Sequence, residues 1–116
     1  MKTILVLLLT TVSFLLPQDQ LKCKGKYRTE FDKKYQQQTY ELQFNDSTYV
    51  KKMPDMFTYK GKIKYEKFTT ILRLNKDDDP IEIATQDINK DTIKFTIRSK
   101  SDMSTTKGRG RLIKIK

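Results

Sequence analysis

Ile93-Lys94-Phe95-Thr96-Ile97-Arg98 alternates apolar and polar residues without a break. That two-residue period belongs to a strand with one face in a core and the other in water. Asn89-Lys90-Asp91 just ahead of it supplies turn residues, so a hairpin leads into this strand. The same period recurs upstream. Tyr27, Thr29 and Phe31 share one face of a first strand, and Tyr40, Leu42 and Phe44 share one face of a second. Asn45-Asp46-Ser47 then turns the chain into Thr48-Tyr49-Val50. After Pro54-Asp55 the inward positions run Phe57, Tyr59, Gly61, Ile63 and Tyr65, with Lys60, Lys62 and Lys64 opposite, and Gly61 is expected to mark a bulge or bend. Phe68, Thr70, Leu72 and Leu74 continue the alternation with Arg73 outward. Asn75 to Pro80 reads as a loop, and Ile81 and Ile83 begin another short strand. Downstream, Ser99 to Thr106 is polar and loop-like, and a last strand following Gly108-Arg109-Gly110-Arg111 turns Ile113 and Ile115 inward.

No helix is expected in this part of the chain beyond one turn within Asp32 to Gln38. Seven or so short strands with brief connections predict an all-β fold, a small antiparallel meander closed or curled into a barrel. Closure hides the strand edges that would otherwise pair with other chains.

The first twenty residues read as a secretory signal. Met1-Lys2 gives a positive start, Thr3 to Leu16 is an apolar run without a charge, and Pro17, Gln18 and Asp19 end it. The run falls short of the roughly 20 residues that a membrane-spanning helix needs. The mature start is expected between Gln18 and Cys23, leaving one domain over 24–116 in the periplasm or secreted; an uncleaved, membrane-tethered form is the alternative. Lipid anchoring through Cys23 is not expected, because Lys22 precedes it where a lipoprotein signal carries a small residue.

The chain has no His and a single Cys. That inventory excludes His-dependent catalytic triads, His-ligated metal centres and CxxC redox chemistry. Carboxylate or lysine chemistry remains, and no spacing of acids marks a pair with separated roles, so the chain reads as a non-enzyme. Asn75, Asp77, Asp78 and Asp79 offer oxygen ligands but lack the glycine and distal glutamate of a calcium loop. No metal or other cofactor is expected. The net charge of +10 raises polyanions as partners: nucleic acid, acidic polysaccharide or anionic lipid. The basic residues are scattered and mixed with acids, as in Lys64-Tyr65-Glu66-Lys67, the pattern of a solvated surface.

Gly25-Lys26-Tyr27 resembles the Gly-x-Trp opening of a lipocalin's first strand, with Tyr27 in place of the tryptophan. In layout the segment from Lys24 to Lys116 is similar to the small lipocalin-like, calycin-type domains exported by Bacteroidetes bacteria. The resemblance implies a lipocalin-like barrel and an arginine on the last strand, Arg109 or Arg111, covering the opening aromatic. The chain departs from the family in having no Trp and in being short for a roomy eight-stranded cavity.

The expected function is an exported, non-enzymatic binding module for a small apolar or amphipathic ligand or an envelope partner. Phe57, Tyr59, Ile63, Tyr65, Leu72 and Phe95 are the expected lining, or a filled core if the barrel is packed. The alternative is a basic surface protein that binds polyanions, or associates peripherally with a membrane, through Lys60, Lys62, Lys64, Arg73 and Arg98. Nucleic acid is the weaker partner: one Gly-Arg-Gly-Arg copy does not specify it, and the six tyrosines fit strand packing as well as base stacking.

Overall fold

The computed structural model describes residues 21–75 and 77–116; the expected signal segment over 1–20 lies outside them. Among the described residues the alternation forms eight antiparallel strands: β1 (Cys23–Phe31), β2 (Glu41–Asp46), β3 (Thr48–Lys52), β4 (Thr58–Tyr65), β5 (Thr69–Arg73), β6 (Ile81–Ala84), β7 (Thr92–Arg98) and β8 (Thr106–Lys114). Each strand pairs with the next, and β8 returns to pair with β1, closing a meander barrel. Two single 3-10 turns, Lys33–Tyr35 and Thr85–Asp87, are the helical pieces among the described residues.

The inward row behaves as the period demands. Tyr27, Phe31, Leu42, Phe44, Tyr49, Ile63, Leu72, Ile83, Ile93, Phe95 and Leu112 are all buried and fill the barrel with side chains. Phe31 stands edge-on to Phe95 with ring centroids 5.5 Å apart, and Tyr27 tilts against Phe44 at the same separation, arrangements that suit the aromatic quadrupole. Thr29 and Thr70 are polar members of this row. The Thr29 hydroxyl accepts from Tyr40 N at 2.9 Å and donates to Tyr40 O at 3.0 Å, so its burial leaves no unmet hydrogen bond.

Four expectations are corrected. Gly61 lies in continuous register with β3 and makes no bulge. A Cβ there would sit 2.5 Å from the Tyr49 ring, so the missing side chain makes room for that phenol. The last strand is one residue out of the expected phase: Gly108, Gly110 and Leu112 face inward, Ile113 is half-buried and Ile115 is exposed. Phe68 sits in the β4–β5 turn, 77% exposed, because the alternation runs past the end of the strand. The β6–β7 connection is longer than a tight hairpin, with the Thr85–Asp87 turn ahead of Asn89.

One end of the barrel is closed. Tyr65 Oη accepts from Cys23 N at 2.8 Å and donates to Asp46 O. The Asn89 amide donates to Lys22 O at 2.7 Å and accepts from Lys24 N at 2.9 Å, acting as a short extra strand partner for the start of β1. The Tyr27 hydroxyl donates to Lys90 O at 2.8 Å. Cys23 lies within this floor, 1% exposed, and burial raises its thiol pKa against the opposing effect of a hydrogen bond with Tyr65. Because the thiolate is the reactive form, the native protein is expected to react with a disulfide reagent at pH 8 orders of magnitude more slowly than the urea-unfolded chain. Rates within about tenfold of each other would place the thiol at the surface instead.

Candidate functional site

The opposite end of the barrel is open. It is ringed by the segments 32–40, 53–57, 74–75 with 77–80, and 99–105, which the meander brings together because they join alternate strand ends. Between them lies a cavity of about 300 Å³, walled by Tyr40, Tyr49, Met53, Leu74, Ile81 and Ile97. Ile81 sits across from Ile97 in the β6–β7 register. Gln37, Gln38, Asp78 and Asp79 add polar groups to the lining.

Lys51 is the unusual member. It follows Tyr49 by two residues and shares its inward face, at a position the strand period reserves for core residues. Its ammonium stands 4.2 Å from the centroid of the Tyr40 ring, a cation–π contact. None of the ion pairs among the described residues includes it. Burial lowers the Lys51 pKa from its ordinary value, and the negative charge of Asp78 partly opposes that shift. Burial likewise pushes the neighbouring Tyr40 phenol up to about 12, so at neutral pH the mouth sets the Lys51 cation beside neutral phenols, with Asp78 and Asp79 also in the lining.

The expected lining residues do not assemble around this cavity. Ile63, Leu72 and Phe95 lie among the packed side chains of the core, 8%, 0% and 1% exposed. Tyr65 belongs to the closed floor through its bonds to Cys23 and Asp46. Phe57 falls in the β3–β4 loop rather than on a strand and is 64% exposed. Tyr59 keeps its inward phase opposite Lys51 but sits at the strand end, half-exposed on a shelf beside the mouth. A small barrel fills its middle with side chains, so only its rim retains space. The residues that do form the mouth were within reach of the sequence: Tyr49, Lys51 and Met53 follow one another at the inward period, and a lysine in phase with a core row is the signal.

The expected polyanion residues divide. Lys60, Lys62, Lys64 and Arg73 share the outer wall of β4–β5, with Lys62 directly opposite Arg73. Arg98 stands apart on β7, paired with Glu82 at 3.5 Å and bonded to the Thr106 hydroxyl. The arginines expected over Tyr27 do not cover it either. They point outward, Arg109 toward the Tyr35 ring and Arg111 to Glu30, while Tyr27 faces inward. The acidic turn ties loops together: Asp77 N donates to Asn75 Oδ1 at 2.7 Å, and Asp79 accepts from Lys100 N at 2.8 Å. No protein-family model, curated protein or solved structure matches the chain.

Proposed function

We propose that this chain is an exported, non-enzymatic binding module that holds a small anionic amphiphile in the open mouth of a lipocalin-like barrel. The observation that carries the reading is Lys51, an inward-facing, half-buried ammonium in the wall of a cavity of mixed apolar and polar lining. A residue there that served packing alone would be apolar, because a buried cation without a paired anion costs stability. Asp78 acts on Lys51 without forming an ion pair with it; an acidic head group supplies the direct partner, while Met53, Leu74, Ile81 and Ile97 take up the apolar part. The cavity volume lies at the lower end of the range for small-molecule sites, which points to a short ligand. The closed eight-stranded meander, sealed at one end and open at the other, supports the lipocalin-like assignment, and the export reading rests on residues 1–20.

Calorimetric titration with decanoate and with decyltrimethylammonium tests the proposal. Decanoate is expected to bind and the cation is not. Lys51→Met is expected to weaken decanoate binding by roughly tenfold to a hundredfold, the value of a hydrogen bond to a charged group. The same variant is expected to melt higher than the parent at neutral pH. A lysine whose folded pKa is lowered makes stability rise with pH between that pKa and the unfolded value of 10.5, so the advantage of Lys51→Met shrinks as the parent loses its proton. Equal binding of both amphiphiles, or unchanged decanoate binding by Lys51→Met, would overturn the assignment.

A further inference from the structure

We propose that the outer wall of β3–β5, together with the Met56–Phe57 hairpin tip, is a docking surface for an anionic lipid membrane. These three strands contain no Asp or Glu. Their outward positions carry Lys52, Lys60, Lys62, Lys64 and Arg73, and none of the ion pairs among the described residues uses any of the five. Lys62 and Arg73 face each other directly across the β4–β5 ladder. Like charges in that position destabilise a sheet, and a bound anion between them reverses the sign of the contact. Arg73 Nε is buried and has no hydrogen-bond partner among the described residues. Glu41 and Glu82 on the flanking strands bound the patch.

The hairpin tip decides which polyanion the wall fits. Met56 and Phe57 are 75% and 64% exposed. Their loop is hydrogen-bonded within itself: Met56 N donates to Met53 O at 3.0 Å, Met53 N to Phe57 O at 2.8 Å, and Phe57 N to Asp55 Oδ1 at 3.2 Å. Three-residue hairpin loops of this kind place their last residue in the left-handed region and favour glycine there. Here that residue is Met56, at φ 76°, so a large apolar side chain is held out in water at a cost in backbone strain. A nucleic acid or acidic polysaccharide in water has no apolar interior to receive it. The three strands themselves turn no aromatic ring outward between the basic residues; the exposed rings, Phe57 and Phe68, lie in the turns at opposite ends. A bilayer supplies both an apolar layer for the tip and anionic head groups for Lys52 and Lys60 beside it.

The chain has no Trp, so Phe57→Trp provides a single reporter. In the full chain its emission is expected to shift to the blue on phosphatidylcholine vesicles containing phosphatidylglycerol, and not on phosphatidylcholine alone. Added salt is expected to reverse the shift. Lys60→Gln with Lys62→Gln is expected to lower vesicle affinity roughly thirtyfold, about fivefold per basic residue. Met56→Gly is expected to keep or raise the urea midpoint while weakening binding severalfold, which separates loss of the wedge from loss of the fold. Residues 1–20 are common to all these proteins and cannot produce differences between them. The proposal is overturned if the reporter stays unshifted on anionic vesicles, if heparin or single-stranded DNA shifts it equally, or if Met56→Gly binds like the parent.

Discussion

Gly110→Ala is expected to remove about 4 kcal/mol of stability, a large share of the roughly 5–15 kcal/mol that holds a domain of this size. Gly110 lies in β8 between Phe31 of β1 and Phe95 of β7. A methyl group there would sit 2.2 Å from Glu30 O and 2.9 Å from Phe31 Cα. Both obstacles are backbone atoms of the strand that closes the barrel, so no rotamer change relieves the clash and the two strands must separate. At Gly61, by contrast, the obstacle is the Tyr49 ring, a side chain rather than backbone. Urea unfolding followed by circular dichroism checks the expectation through a fall in midpoint at unchanged slope. A loss below about 1 kcal/mol would mean that β1 and β8 do not meet in this register.

Phe95→Ala is expected to cost about 4 kcal/mol, the usual penalty for truncating a buried phenylalanine into a cavity. Phe95 is 1% exposed and meets the edge of Phe31. The alternative, in which Phe95 lines a ligand space, predicts near-native stability and altered ligand binding. Phe57→Ala serves as the control. With its side chain in solvent, it is expected to stay within about 0.5 kcal/mol of the parent in the same urea experiment.

These substitutions mark where the sequence was legible. Alternation alone placed Tyr27, Thr29, Phe31, Leu42, Phe44, Ile93 and Phe95 on the inner face, since each side chain announces the phase of its own strand. In β8 the inward positions 108 and 110 are glycines and announce nothing, so the phase was taken from Ile113 and Ile115 and came out one residue late. Phe57 and Phe68 keep the period but lie beyond the strand ends. Where a strand stops is set by its neighbour's length, a non-local quantity. The mouth was obscured for another reason. A lysine is ordinarily an outward residue; the phase of Lys51 with Tyr49 and Met53 marks it as inward, but that it walls a cavity shows only when its register with Tyr59 and the loop carrying Asp78 are assembled. The alternative basic set was legible as a row on β4; that Arg73 joins it while Arg98 is neutralised by Glu82 depends on strand order.

The seam between β1 and β8 also governs the order of assembly. It pairs Tyr27 with Lys114 and Phe31 with Gly110, positions near opposite ends of the described chain, while every other ladder joins strands adjacent in sequence. Hairpins can therefore form locally and early, but the final contacts carry the largest loop-closure entropy and come last. Until residues 106–114 arrive, a seven-stranded intermediate has two bare edges, each a template for pairing with another copy. A chain exported as proposed, N-terminus first, would stay in that open, adhesive form until residues 106–114 had followed.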